Sequence, residues 1–176
     1  MGITEERRER FERLFDEHVR AVTGYVLRRA DAADVDDAVA ETFLVAWRRL
    51  DEVPSSPKPW LFGVARRVLA NQRRAAGRRS ALVDRLGGRA PAFAGAQADD
   101  SPVLVALAGL RRADQEILML AAWEGLTADE TASVLGCSTA AAKVRLVRAK
   151  RRLRAAVEDL VERPSPTLVL EECHED

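Results

Sequence analysis

The chain has 176 residues, 47% of them hydrophobic and 32% charged, and its 28 Lys and Arg balance 28 Asp and Glu for a formal net charge of zero. That composition excludes wholesale disorder, and no apolar run approaches the roughly 20 residues needed to span a bilayer. Aromatics at 5% leave Leu, Val and Ala to build the core, while two cysteines, Cys137 and Cys173, and the charged start MGITEERRERFERLF fit a cytoplasmic setting without a disulfide framework.

Phe11, Leu14, Phe15, His18, Val22, Tyr25 and Val26 recur at steps of three and four, which predicts a first helix over Glu5–Arg29. Asp31 or Asp34 is placed to cap a second helix whose apolar face is Val35, Val39, Phe43, Trp47 and Leu50. The segment VPSSPKP interrupts the pattern, and a third helix starts at Trp60 with Leu61, Val64, Val68 and Leu69 on one face. Gly77 to Ser101 has no sustained period and reads as a linker, with one helical turn around Ala81 to Leu86. A second helical unit follows, over 102–110, 114–123, 127–135 and 138–161, and then a tail without order. The fold class is all-α: two small helical domains, 1–76 and 102–162, joined by a flexible linker, 77–101, with a disordered tail, 163–176.

The zero net charge conceals a segregated distribution. Between Glu52 and Asp84 no acid occurs, against Lys58, Arg66, Arg67, Arg73, Arg74, Arg78 and Arg79. Between Glu130 and Glu158 none occurs, against Lys143, Arg145, Arg148, Lys150, Arg151, Arg152 and Arg154. Acids gather instead in Asp31 to Glu52, at Asp99 and Asp100, and in the tail. Separate basic and acidic blocks predict surfaces with different partners, nucleic acid among them.

One basic block lies in LTADETASVLGCSTAAAKVRLVRAKRRLR, Leu126 to Arg154. Thr127 and Glu130 form a capping box, Gly136 supplies a left-handed turn, Cys137 a small buried wedge, and Ser138 caps the next helix. Ala142, Leu146, Ala149 and Leu153 make the inward stripe, so Thr139, Ala140, Ala141, Lys143, Val144, Arg145, Val147 and Arg148 face out. A helix-turn-helix of this form sets its second helix in a major groove with later arginines on phosphates. The bland reading is a helical hairpin with a solvated basic face; the absence of acid along the helix weighs against it, because solvated helices mix signs.

Two motifs in order resemble the extracytoplasmic-function (ECF) sigma factors of bacterial RNA polymerase, in the sigma-70 family. Ala113 to Arg154 is similar to their C-terminal promoter-reading domain, and Phe11 to Arg74, with DVDDAVAETFLVAWRRL and PWLFGVARRVLANQRR, to their N-terminal domain. The resemblance implies a non-enzymatic factor that binds core RNA polymerase and directs promoter-specific initiation. It implies docking of Asp34, Asp37, Glu41, Phe43 and Arg48 on the clamp helices of the largest subunit, and of the C-terminal domain on the flap of the second-largest. It implies contact with the minus-ten element by Lys58, Trp60, Arg66, Arg67, Asn71, Arg73 and Arg74, the loop Asp51–Lys58 shaping a pocket for an unstacked base. It implies contact with the minus-thirty-five element by Ser138, Thr139, Ala141, Lys143, Val144, Arg145, Arg148 and Arg152. Trp60 keeps two readings, core anchor or stacking platform. Ala40 stands where the family usually has Gln, and Ala141 and Val144 where relatives often carry Thr and Ser, which shifts readout toward DNA shape. An anti-sigma factor is a common further partner, and the linker's AQADD is a candidate nucleic-acid mimic or a plain tether.

No cofactor, metal or membrane insertion is implied. The two histidines, His18 and His174, stand far apart; His18 falls on an apolar face, and Cys173-His174 alone is no metal site. The rival reading is a conventional helix-turn-helix regulator that binds operator DNA without polymerase. A helical adaptor binding only protein is disfavoured by the two acid-free blocks.

Overall fold

The structure is a computed structural model that describes residues 3–84 and 101–162. Most of the expected linker, with AQADD, and the whole tail, with Cys173 and His174, lie outside those residues. The described residues form seven α-helices and no strand: α1 (Ile3–Leu27), α2 (Val35–Arg48), α3 (Pro57–Asp84), α4 (Pro102–Gly109), α5 (Arg112–Ala122), α6 (Ala128–Leu135) and α7 (Thr139–Glu162). None of these helices is long and apolar enough to cross a membrane.

In the first half, α1, α2 and α3 pack on one another. Their shared core holds Val22, Tyr25, Val26, Phe43, Leu50, Leu61, Phe62, Val68 and Leu69. Tyr25 and Phe62 stack with ring centroids 4.7 Å apart, and truncating a ring buried this fully costs about 3–5 kcal/mol. The buried Thr42 hydroxyl donates to the Ala38 carbonyl at 2.7 Å, so it adds no unpaired polar group.

Three local expectations need correction. Neither Asp31 nor Asp34 makes a side-chain cap; a 3-10 turn over Ala32–Asp34 leads into α2 instead. The proline segment does not delay α3, which begins at Pro57 rather than Trp60. Pro57 and Pro59 fall in the first turn, where the backbone N–H groups have no intrahelical acceptor, so losing them costs little. At its other end α3 runs to Asp84, through residues read as linker, because Ala- and Arg-rich segments sustain a helix without an apolar face.

In the second half, α4, α5 and α6 all pack against α7. Gln115 Nε2 donates to the Ala108 and Leu110 carbonyls, both at 2.9 Å, which closes the α4–α5 turn. This half's separate core is small: Leu107, Ile117, Leu118 and Ala149 are buried in it, flanked by Leu146 and Leu153. Leu120, Leu126 and Val134 instead join the core of the first half. There α6 lies against α3, and a Cβ placed on Gly63 would sit 4.0 Å from the Val134 Cα.

Candidate nucleic-acid interface

The helix-turn-helix is built from α6 and α7. Its entry is the capping box: the Glu130 carboxylate accepts from the Thr127 N–H and hydroxyl, each at 2.8 Å, and the Thr127 hydroxyl accepts from the Glu130 N–H at 3.3 Å. The bond from the Thr127 backbone, then its hydroxyl, holds the Glu130 carboxyl below the ordinary carboxylate range. Gly136 closes α6 at φ +66°, in the left-handed region that favours glycine. Cys137 beside it is half-buried rather than enclosed. Ser138 caps α7, its hydroxyl accepting from the Ala141 N–H at 3.2 Å.

Along α7, Lys143, Val144, Arg145 and Arg148 are exposed, whereas Ala141 and Thr139 are half-buried. The Thr139 hydroxyl is already engaged with the Asp129 carboxylate at 2.5 Å, linking the two helices. Arg152 is exposed but tied within the unit: its Nη1 donates to both oxygens of the buried Asp114 at 2.9 Å. The exposed positions of α7 include Lys143, Val144, Arg145 and Arg148, with Ser138 and Thr139 fixing the start of the helix.

On α3, Arg66, Arg67, Asn71 and Arg74 are exposed, and Arg74 donates to the Asn71 side-chain oxygen. Trp60 is half-buried against the core with the Arg49 guanidinium 5.9 Å above its ring, so it anchors the helix while leaving part of the ring accessible. The loop before α3 is tied to α1, where Arg7 Nη1 pairs with Asp51 at 2.8 Å. Lys58 and Arg73 point elsewhere. Lys58 Nζ donates to the Glu124 carbonyl at 2.7 Å and Arg73 Nη2 to the Arg29 carbonyl at 2.6 Å. Burial, reinforced by Arg112 and Arg29, lowers the pKa of Arg73.

On α2, Asp34, Asp37, Glu41 and Arg48 form one exposed ridge at steps of three, four and seven residues, starting in the turn that precedes the helix. Phe43 lies beneath, 3% exposed, in an aromatic cluster with Phe11 and Phe15. Beside the ridge is an open groove of about 610 Å³ whose lining includes Phe11, Phe15, Leu44 and Trp47. Leu44 and Phe15 are 45% and 38% exposed, and periodicity alone assigned Phe15 to the core. The signal for Leu44 was its place at the middle of the ridge spacing, between Glu41 and Arg48.

Two helices with long acid-free basic stretches, one of them the second helix of a helix-turn-helix, on a frame with a mostly acidic ridge, define a class: a helical protein of the nucleic-acid-binding kind. Residues 14–79 match the family model "Sigma-70 region 2" and residues 101–153 the model "Sigma-70, region 4". The chain is 31% identical over 156 residues to the ECF RNA polymerase sigma factor SigL of Mycobacterium tuberculosis, covering 84% of this chain and 88% of that one. It is 32% identical over 143 residues to the RNA polymerase sigma factor CnrH of Cupriavidus metallidurans, covering 71% and 74%. Among solved structures, CnrH in complex with the cytosolic domain of CnrY superposes with a TM-score of 0.58 at 26% identity, covering 85% and 88%. RpoE of Bartonella quintana in complex with the anti-sigma factor NepR shares the fold at 24% identity, with a TM-score of 0.67 and coverage of 87% and 98%. The chain belongs to the ECF sigma factors of bacterial RNA polymerase.

Proposed function

We propose that this sigma factor works in the cytoplasm and docks on core RNA polymerase through the ridge Asp34, Asp37, Glu41 and Arg48. Leu44 and the aromatic groove supply the apolar part of that contact. An acidic ridge beside an apolar patch suits a basic helical partner: the charges steer and orient, and the desolvated apolar centre carries affinity. The clamp helices of the largest subunit are the surface we assign to it, with the flap of the second-largest subunit holding the C-terminal unit. In this division of labour, residues 1–76 dock and open the start region, and 102–162 hold the upstream element.

Base contacts to the minus-thirty-five element fall to Lys143 and Arg145, with Arg148 on phosphate and Val144 against thymine methyls. Arg66, Arg67 and Arg74 hold the backbone of the melted minus-ten strand, and Trp60 offers a partly open ring beside them. One observation carries this reading: Lys143, Arg145 and Arg148 stand exposed on a helix without acid from Thr139 to Val157. A structural neighbour solved in complex with an anti-sigma factor supports such a factor as the third partner we infer. The test is reconstitution of the chain with core RNA polymerase and a candidate promoter. Promoter-specific initiation is the expected result; operator binding without polymerase and no initiation would favour the conventional regulator.

A further inference from the structure

Along the seam where the halves meet, arginines gather around a cavity. It holds about 240 Å³ between α1, α3 and α5, and its lining includes Tyr25, Arg29, Arg66, Arg73, Arg112 and Glu116. A smaller space of about 40 Å³ adjoins it, sharing Arg29, Arg73, Arg112 and Glu116 and adding Arg28. Two acids at this seam are already engaged. Glu116 accepts from the Tyr25 hydroxyl at 2.8 Å and from Arg29 Nε at 2.9 Å. Glu124 accepts from Arg29 Nη1 at 2.9 Å and from Arg28 Nη2 at 2.7 Å. Five arginines against these two carboxylates leave an excess of three positive charges.

Three further observations point to an anion. Arg29 has a side chain only 4% exposed, and its Nη2 is buried with no hydrogen-bond partner among the described residues. A charged donor in that position is costly, and a negatively charged ligand in the cavity offsets part of the cost. Burial, then the like charge of Arg112, hold the Arg73 pKa below its ordinary value, so an anion between these two groups replaces repulsion with attraction. Finally, α5 begins at Arg112 with no side-chain cap, which turns the positive end of its dipole toward the same wall. We propose that this cavity binds a terminal diphosphate group, of inorganic pyrophosphate or of a nucleoside diphosphate, held by Arg66, Arg73 and Arg112 with Arg29 as a fixed charge behind them. A planar guanidinium offers paired N–H groups that match phosphate oxygens two at a time. A volume of about 240 Å³ is below the roughly 300–1,000 Å³ of sites that enclose a whole drug-sized ligand, so the phosphates enter and a nucleoside stays outside. Walls from three helices suit the end of a ligand, whereas a nucleic-acid strand needs a groove that tracks its backbone. The site is independent of the DNA reading of α3, because Arg112 lies outside that reading.

The full chain is titrated with inorganic pyrophosphate, and separately with a nucleoside diphosphate, by isothermal calorimetry in phosphate-free buffer at about 0.15 M salt. One saturable site is expected. Arg66→Ala and Arg112→Ala, both at exposed positions, should each weaken pyrophosphate binding about tenfold, the loss of one charged hydrogen bond. Arg111→Ala removes the same charge one residue away, outside the lining of either cavity. It should change the affinity by less than about twofold, because salt screens a charge in open solvent. Circular dichroism checks that each variant remains helical. Tighter binding of the nucleoside diphosphate than of pyrophosphate supports a nucleotide as the ligand; equal or weaker binding supports the free anion. No saturation below about 1 mM overturns the site, as does an equal loss in Arg111→Ala and Arg112→Ala. A last arm uses a single-stranded oligonucleotide of about 20 residues without terminal phosphates. If Arg112→Ala weakens that oligonucleotide as much as it weakens pyrophosphate, the cavity holds backbone phosphate and the terminal-group assignment falls.

Discussion

Arg152 Nη1 sits 2.9 Å from both carboxylate oxygens of Asp114, fastening α7 to the start of α5. Asp114 is nearly enclosed while Arg152 remains 44% exposed, so solvent discounts the attraction and truncation costs more on the side of the buried acid. Arg152→Ala is expected to lower unfolding stability by about 1–2 kcal/mol in chemical denaturation, through the loss of a charged hydrogen bond. Arg148→Ala should leave stability unchanged. The same pair of variants separates framework from readout: Arg148→Ala should reduce the salt slope of DNA binding by about 1.

Arg145 projects from the exposed part of α7 with no partner among the described residues. Arg145→Ala is expected to relax selectivity at one base position of the upstream element, worth about 1–3 kcal/mol of discrimination. The measurement is initiation from a panel of single-base promoter variants with reconstituted polymerase. Unaltered ranking across the panel would remove Arg145 from base recognition and leave shape readout as the account.

Leu44 is 45% exposed between Glu41 and Arg48. Leu44→Arg should leave the helical content and DNA binding intact yet weaken binding to core polymerase at least about tenfold, the loss expected of an apolar contact at an interface centre. Competition for core polymerase against the parent chain reads this directly. Equal competition would show that the ridge is not the docking face.

The capping box links stability to acid. The folded-state pKa of Glu130 lies below its ordinary value of 4.5, chiefly through the Thr127 N–H and hydroxyl. A depressed carboxylate stabilises the fold fully above its unfolded pKa, and that contribution is lost as pH falls through the folded value. Glu130→Gln should therefore flatten the acid limb of the stability profile below about pH 4.5. Thr127→Ala should cost about 1 kcal/mol at neutral pH. Thermal unfolding at a series of pH values measures both.

Periodicity located the helices because each buries a stripe at 3.6-residue spacing, and the helix-turn-helix was legible because Thr127, Glu130, Gly136 and Ser138 are local signals at successive steps of three, six and two residues. The start of α3 was not legible: prolines read as breakers in a helix interior are harmless in its first turn. Arg29 with Glu116, and Asp114 with Arg152, are pairs 87 and 38 residues apart. A residue's type gives its appetite for a partner but not the partner's address, so the closed seam and the internal role of Arg152 had no sequence signature. Lys58 and Arg73 were read as DNA contacts from the resemblance of their segment to a minus-ten reader, and a basic side chain is equally at home on a carbonyl.

The core pooled across Leu120, Leu126 and Val134 makes the second half a thermodynamic dependant of the first. Any state in which the halves part uncovers those side chains and leaves the smaller unit with the small cluster of Leu107, Ile117, Leu118 and Ala149. Such a species is open to proteases in proportion to its population. The packed seam is therefore expected to limit proteolysis of the chain as well as to fix its shape.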